Sequence, residues 1–174
     1  QKALFSEALV TLDVVDGASL AYALSDLAAA SGDVSLVDQI DPVYPDARAS
    51  AYLRIGEYQL AWDAAAQITD PYERARAEAA IVAAWGNAEA VMQISVPLYR
   101  DSALRDLTRK TGNTALVDSI SMDYYRLQAL TALGDLESAL ELVGELGDTY
   151  PLVALAVALT DTDKQAALSL VDEM

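Results

Sequence analysis

The stretch ITDPYERARAEAAIVAAWGNAEAVMQI, residues 68–94, decides the fold, because its length recurs along the chain. It begins and ends on an isoleucine, and Ile68 and Ile94 lie 26 residues apart. The same interval separates Ile94 from Ile120 and Ile120 from Leu146. A fixed period of roughly 20–50 residues is the sequence signature of a repeat protein. The sequence therefore predicts copies of one small unit stacked along the chain.

Other positions keep the same register of 26 residues. The aligned columns are Pro45, Pro71 and Pro97; Arg48, Arg74, Arg100 and Arg126; Ala51, Ala77, Ala103 and Ala129; Ile55, Ile81, Leu107 and Leu133; and Tyr72, Leu98, Tyr124 and Tyr150. In each unit the alanine lies four residues before the large apolar residue, so both lie on one helical face. Upstream, Ile40 precedes Ile68 by 28 residues, and we expect a bend in DPVYPDA, residues 41–47.

Each unit is interrupted by a glycine that is followed by a polar residue. The five breaks are Gly32-Asp33, Gly56-Glu57, Gly86-Asn87, Gly112-Asn113 and Gly134-Asp135. Glycine tolerates the left-handed conformation that ends a helix, so a unit is predicted to be helix, tight turn, helix. The predicted helices are 2–15, 18–31, a short helix ending at Ile40, 46–55, a longer helix within 56–68, 71–85, 87–94, 98–111, 113–120, 122–133, 135–146, 149–160 and 163–173.

The predicted fold class is all-α: a right-handed α-solenoid of about six short αα-hairpins, with an N-terminal helix before them. A unit of this size cannot bury its apolar face alone, so its neighbours supply the core. Residues 1–174 are predicted to form a single solenoid domain, since no linker or low-complexity tract divides them. No apolar run reaches the roughly 18 residues that a membrane span needs, so no membrane span is predicted.

Histidine and cysteine are both absent from the 174 residues. Their absence excludes Ser-His-Asp and Cys-His catalysis, zinc fingers and thiolate clusters. Glycine-rich phosphate-binding loops are also absent from the sequence. We therefore predict no enzyme, no cofactor and no metal site. A hydrolase built on a carboxylate pair stays open as a minor alternative, because the chain carries 27 acidic side chains.

The net charge of −16 is unevenly placed. Nine of the 11 basic side chains lie in residues 48–126, so the two ends are acidic and the middle is nearly neutral. Strong acidity favours basic partners and disfavours nucleic acid and anionic lipid. Because the sequence starts at Gln1 instead of Met, we expect a processed form or a fragment. The expected location is the cytoplasm by default, or outside the cell if Gln1 is a processed terminus.

Residues 56–61 (GEYQLA) and 134–139 (GDLESA) resemble the turn and second helix of a tetratricopeptide repeat. Ala61 and Ala139 match the small residue five positions after that glycine, and Pro71 resembles the proline that closes such a repeat. The period is 26 residues, against about 34 in that family, and HEAT-like repeats are the neighbouring class. The resemblance implies protein–protein interaction or scaffolding, and no catalytic residues.

The candidate partner-binding residues are Arg48, Arg74, Arg100, Arg126, Tyr72, Tyr99 and Tyr125. Each arginine of this column is expected in the first turn of a helix, where the helix dipole disfavours a cation, so each needs a compensating contact. In the structural interpretation, it bridges to a carboxylate or a tyrosine of the adjoining unit. In the binding interpretation, the arginines form a ladder for an acidic peptide or a C-terminus. Most tyrosines are expected to pack between units, and Trp62 and Trp85 to lie in the core.

Two functions remain in competition. The first is an interaction module whose concave face binds a protein partner. The second is a structural subunit that assembles end to end with copies of itself into a filament or layer, because neither end shows a clear polar cap. The predicted partners are thus another protein or copies of this chain, with no nucleic acid. Oligomeric state across protein concentration and salt separates the two functions.

Overall fold

A computed structural model describes residues 17–146, and every regular element in that range is helical. The elements are α1 (Gly17–Ser31), the 3₁₀ helix η1 (Val34–Gln39), α2 (Pro45–Ile55), α3 (Tyr58–Ala65), α4 (Pro71–Trp85), α5 (Ala88–Val91), α6 (Pro97–Thr111), the 3₁₀ helix η2 (Thr114–Ser119), α7 (Asp123–Leu133) and α8 (Leu136–Leu146). The all-α prediction is confirmed over these residues. The predicted helix 2–15, the hairpin 149–173 and Tyr150 lie outside the described residues.

Six of the predicted helices begin and end within one residue of the observed ones. These are the predicted helices 18–31, 46–55, 71–85, 98–111, 122–133 and 135–146. The short second elements differ, because η1 and η2 are 3₁₀ helices and α5 is a single turn. A 3₁₀ helix rises about 2.0 Å per residue and an α-helix about 1.5 Å. A short segment between the glycine and the isoleucine therefore spans more distance as a 3₁₀ helix.

The glycine–polar pairs join consecutive helices by two different means. The five glycines have positive φ angles, from 69° at Gly112 to 93° at Gly56, as the helix-ending prediction requires. At four breaks the next residue caps the following element. The side chains of Asp33, Asn87 and Asn113 accept hydrogen bonds from the backbone N–H groups of the residues two positions later, at 3.0, 3.0 and 3.1 Å, and Asp135 accepts from the N–H three positions later at 3.2 Å. The two-residue pattern thus ends one helix and starts the next.

The repeat is also visible in the backbone hydrogen bonds. The four arginines of the column are each the fourth residue of a helix, and each backbone N–H donates to the carbonyl four residues earlier, at 2.9–3.2 Å. The four isoleucines at 40, 68, 94 and 120 are buried, and each backbone N–H donates to the carbonyl three residues earlier, at 3.0–3.1 Å. Equivalent sequence positions therefore have equivalent local structure.

The chain divides into two compact units between Trp85 and Gly86. In the first unit, α1 packs on α2, α2 packs on both α3 and α4, and α3 packs on α4. Its core is rich in alanine, with Ala47, Ala49, Ala51, Ala61 and Ala65 all buried. Small side chains let helix axes approach closely, which explains why a chain so rich in alanine forms a dense core.

In the second unit, α6 packs on α5, η2 and α7, and α7 packs on η2 and α8. Its buried side chains include Ile94, Leu104, Leu107, Ile120 and Leu127. Consecutive helices therefore pack on one another in both units, while the single right-handed solenoid domain stays a prediction. Among the helices of residues 17–146, none is long and apolar enough to cross a membrane.

Candidate functional site

The arginine column occupies the predicted helix positions, but its members have different surroundings. The Nε atom of Arg74 lies 4.0 Å from Oε1 of Glu78, four residues further along the same helix. Glu78 is buried, and burial raises the pKa of its carboxyl group while the charge of Arg74 lowers it. The Nε atom of Arg100 lies 3.6 Å from Oδ1 of Asp101, its neighbour in sequence.

Arg126 also has its carboxylate within its own helix. Its Nη1 atom lies 4.0 Å from Oδ1 of Asp123, and its Nη2 donates to the carbonyl of Ile120 at 3.4 Å. Arg100 and Arg126 thus each have a carboxylate partner, Asp101 and Asp123, but the expectation of bridges to an adjoining unit is wrong for these ion pairs. In each pair the carboxylate belongs to the arginine's own helix, one residue after Arg100 and three residues before Arg126.

Arg48 differs from the other three arginines. Its side chain is half-buried, and in the described part of the chain no carboxylate lies within 4.0 Å of it. Its Nε atom is buried and has no hydrogen-bond partner among residues 17–146. A buried donor left without a partner costs about 1–3 kcal/mol. The Nε atom of Arg100 is also buried without a hydrogen-bond partner, but it lies 3.6 Å from the Asp101 carboxylate. Arg48 is therefore the member of the column that has neither a hydrogen bond to its buried Nε nor a carboxylate beside it, and this donor is open to a ligand.

Arg48 lines a groove of about 890 Å³ in the first unit, which we call the Arg48 groove. The lining residues are Tyr22, Pro42, Val43, Pro45, Asp46, Arg48, Tyr52, Leu60, Asp63, Ala64, Gln67, Ile68, Thr69, Asp70, Glu73 and Arg76. They come from α1, the segment before α2, α2, α3, the segment between α3 and α4, and the first part of α4. The volume is within the range of roughly 300–1,000 Å³ that is typical of ligand sites.

The interval from Ile40 to Ile68 is two residues longer than the later ones, and the longer segment between Ile40 and Pro45 forms one wall of this groove. The segment between Ile40 and Pro45 turns back on itself, because the Tyr44 N–H donates to the carbonyl of Asp41 at 2.9 Å. The Asp41 side chain accepts a second bond, from the Val43 N–H at 3.0 Å. This turn, which the sequence predicts as a bend, presents Val43 with 67% of its surface exposed.

The apolar surface of the groove extends beyond that turn. Leu60 on α3 is 41% exposed and lines the groove, as does the exposed ring of Tyr22 on α1. The Tyr22 hydroxyl donates to the carboxylate of Asp46, and this bond, more than burial, raises the pKa of the hydroxyl. Large apolar side chains that remain exposed inside a concave surface are a feature of binding sites.

Four carboxylates also line the groove, and three of them have no cationic partner within residues 17–146. Glu73 forms an ion pair with Arg76. Asp46 accepts from Tyr22, and Asp63 accepts from Gln59 Nε2 at 3.0 Å. The fourth carboxylate belongs to Asp70, which caps α4 by accepting from the N–H groups of Tyr72 and Glu73, both at 2.9 Å. The groove is therefore net acidic although Arg48 lies in it.

A second, smaller groove of about 540 Å³ lies in the second unit. It is lined by residues of η2, α7 and α8, among them Arg126 and four carboxylates: Asp118, Asp135, Glu141 and Glu145. Within residues 17–146, no group of three or more acidic side chains has the geometry to hold a metal ion. Arg126 already has a hydrogen-bond partner and an ion-pair partner, so it is not an open donor like Arg48.

The tyrosines predicted with the arginines are placed differently from one another. Tyr72 is 62% exposed, and the equivalent Tyr124 is exposed too, so neither side chain is part of the buried core. Tyr99 and Tyr125 are half-buried. The Tyr125 ring meets the guanidinium of Arg105 at 5.1 Å, a cation–π contact with an arginine outside the column.

The structure does not bring the seven predicted site residues together. Arg48 lines the groove of the first unit and Arg126 that of the second, whereas neither groove is lined by Arg74, Arg100 or the three tyrosines. Trp62 and Trp85 pack against the core of the first unit, as predicted. Their contribution is structural, with Trp85 stacked on Tyr58 at a centroid separation of 6.5 Å.

Sequence reasoning missed Tyr22, Val43 and Leu60 as residues of the groove. Leu60 carried a signal, since it lies one position before the alanine stripe of α3, Ala61 and Ala65, which is fully buried. A large apolar residue beside such a stripe falls at the edge of the buried face. Tyr22 and Val43 carried no comparable signal, because neither belongs to a 26-residue column.

No protein-family model, curated protein or solved structure matches this chain. The resemblance to tetratricopeptide repeats therefore stays a prediction. Two of its elements can be located in the structure: Ala61 and Ala139, which correspond to the small residue of the family's second helix, are both fully buried.

Proposed function

We propose that this chain is a non-catalytic protein-interaction module, a right-handed solenoid of tetratricopeptide-like hairpins, and that its Arg48 groove receives a segment of a partner protein. The observation that carries the proposal is the buried, unpartnered Nε of Arg48 in a groove that also exposes Val43 and Leu60. A partner that supplies an acceptor oxygen and an apolar side chain satisfies both at once.

The energetics favour a small anchoring patch. A hydrogen bond to a charged group contributes about 1.5–3 kcal/mol. Covering an exposed leucine-sized side chain contributes about 1.5–3 kcal/mol more. Arginine and tyrosine are also enriched among the residues that dominate protein–protein affinity, and Arg48 and Tyr22 line the same groove. These contributions support binding of a partner segment without any catalytic group.

Site-specific photo-crosslinking tests the proposal. A photoreactive amino acid is placed at Leu60 in the full chain, and the chain is illuminated in extracts of the cells that produce it. The matched control carries the same group at Leu140, which is comparably exposed on α8 and does not line the grooves described above. We expect a defined protein to crosslink at position 60 only, with a lower yield when Arg48→Ala is added.

Equal capture of the same proteins from both positions would contradict a specific groove. A product at position 60 made only of this chain would instead support the second function, assembly from copies of itself. Sedimentation of the unmodified chain across protein concentration and salt provides the independent check, because an interaction module stays monomeric whereas a structural subunit forms ordered polymers.

A further inference from the structure

We infer that the segment received by the Arg48 groove is basic as well as apolar: a short stretch of a partner protein in which lysine or arginine alternates with large apolar residues. This inference rests on the proposed function and specifies the chemistry of the partner. It follows from three properties of the groove, namely its charge, its apolar wall and its open donor.

The charge of the groove selects against acidic segments. Four carboxylates and two arginines line it, and Arg76 is already engaged with Glu73. Asp46, Asp63 and Asp70 have no cationic partner within residues 17–146, and all three are exposed. With a net charge of −16 on the whole chain, the long-range field also attracts cations and repels anions.

The apolar wall selects against segments that are only basic. Val43 and Leu60 remain exposed in the groove, and water is not fully excluded until a partner covers them. The turn that carries Val43 is held by two hydrogen bonds to Asp41, so this wall is in place before a ligand binds. A preorganised apolar wall beside carboxylates matches side chains that alternate between apolar and basic.

Arg48 is compatible with a basic segment because a neutral oxygen atom is enough to accept the hydrogen bond from its Nε–H. A backbone carbonyl oxygen of the segment can accept from the Arg48 Nε–H without bringing a negative charge near Asp46 or Asp63. The inference therefore assigns Arg48 to the partner's main chain, the carboxylates to its basic side chains, and Val43 and Leu60 to its apolar side chains.

Fluorescence anisotropy with three labelled hexapeptides tests this assignment on the full chain. One peptide alternates lysine and leucine, one glutamate and leucine, and one lysine and serine. All three are acetylated and amidated so that no terminal carboxylate can meet Arg48. We expect the lysine–leucine peptide to bind about tenfold more tightly than either of the others, and to weaken as salt is raised.

Variants locate the binding. Leu60→Ser should weaken the lysine–leucine peptide about tenfold, and Asp63→Asn about threefold. The matched controls are Leu140→Ser and Glu57→Gln, which change an exposed leucine and an exposed carboxylate that do not line the Arg48 groove, and neither should alter affinity. Circular dichroism of each variant confirms that its helix content is unchanged.

Arg48→Ala gives the sharpest outcome. If Arg48 donates to the peptide backbone, the variant should bind the lysine–leucine peptide about threefold more weakly, although it removes a positive charge. Tighter binding would overturn the assignment of Arg48.

Preference for the glutamate–leucine peptide, or equal losses in groove and control variants, would overturn the basic partner. If no peptide binds while crosslinking at Leu60 remains position-specific, the basic chemistry is wrong and the interaction module stands; loss of both rejects the module as well.

Discussion

Asp101 accepts a hydrogen bond from the backbone N–H of Met122 at 2.7 Å, which joins the helices of two successive repeats. The same Oδ2 atom accepts from the N–H and the hydroxyl of Ser121, at 2.9 and 2.6 Å. Met122 occupies the cap position of α7 and has no side-chain acceptor of its own. Asp101, which is fully buried on α6, therefore supplies the cap that α7 lacks.

Replacing Asp101 with alanine tests this cap. The substitution leaves three donors without an acceptor, so we expect the free energy of unfolding to fall by about 1–3 kcal/mol in urea denaturation. The equivalent positions in earlier repeats, Ala49 and Ala75, are buried alanines, so the smaller side chain is not itself foreign to the site. Asp118→Ala removes an exposed carboxylate and should change stability by less than about 0.5 kcal/mol. Equal effects of the two substitutions would show that Asp101 does not act as a cap.

The isoleucine column should carry more stability than its exposed neighbours. Ile94 is 1% exposed and Met92, two residues earlier, is 54% exposed. Ile94→Ala removes buried methyl groups and leaves a cavity, so we expect a loss of about 2–5 kcal/mol. Met92→Ala should cost less than about 1 kcal/mol because its side chain is largely in water. A thermal or urea unfolding series measures both, and similar losses would contradict the packing role of the column.

Two glycines with open space around them should respond to alanine in opposite directions. Gly112 has a φ of +69°, and a methyl group added there or at Gly144 would meet no atom of another element of residues 17–146 within 4 Å. Gly144 lies inside α8 and shows no such positive φ. Gly112→Ala should destabilise the protein by about 1 kcal/mol, and Gly144→Ala should stabilise it by about 0.5–1 kcal/mol. Stabilisation by both substitutions would show that the left-handed helix end is not required.

Glu78 should make stability depend on pH. Burial raises the pKa of its carboxyl group in the folded state above the ordinary value of 4.5, with Arg74 opposing the shift. The protonated form is therefore favoured by folding: its stabilising contribution is complete below the unfolded-state pKa and is lost as pH rises through the folded-state pKa. Glu78→Gln, which stays neutral, should be more stable than the parent above that range by up to about 1 kcal/mol.

Comparing urea unfolding of the parent and Glu78→Gln from acidic to neutral pH measures this difference. Glu137→Gln is the control, because it removes an exposed carboxylate of α8. A difference between parent and Glu78→Gln that does not grow with pH would contradict the role given to burial.

The periodic part of this structure could be predicted from sequence because it depends on local chemistry. The glycine–polar pairs act within two or three residues, and the isoleucines and alanines mark the buried face at a constant interval. The bounds of the six longer helices follow from these signals to within one residue. The 3₁₀ geometry of η1 and η2 was not predicted, and segment length does not account for it, because the equally long segment from Gly86 to Ile94 forms the α-helical turn α5.

Only those residues of the candidate site that belong to a column of the 26-residue repeat could be predicted from the sequence. Arg48 belongs to a column and was identified, but the column does not show which arginine lacks a partner. Arg74 has a glutamate four residues later, Arg100 an aspartate at the next position and Arg126 an aspartate three residues earlier, whereas Arg48 has no carboxylate at any of these positions. Asp101 did leave a signal, as the charged member of a column that otherwise holds Ala49, Ala75 and Leu127. Residues that depart from the 26-residue pattern, such as Asp101, are thus the ones whose roles differ from those of the equivalent residues in other repeats.

The most direct test of the Arg48 groove as a partner-binding surface is amide hydrogen exchange of the full chain, alone and bound to the protein that crosslinks at Leu60. We expect new protection at residues 41–48 and 58–70, which contain most of the groove lining, with little change along α6 and α7. Protection confined to α6 and α7, with residues 41–48 unchanged, would contradict this expectation.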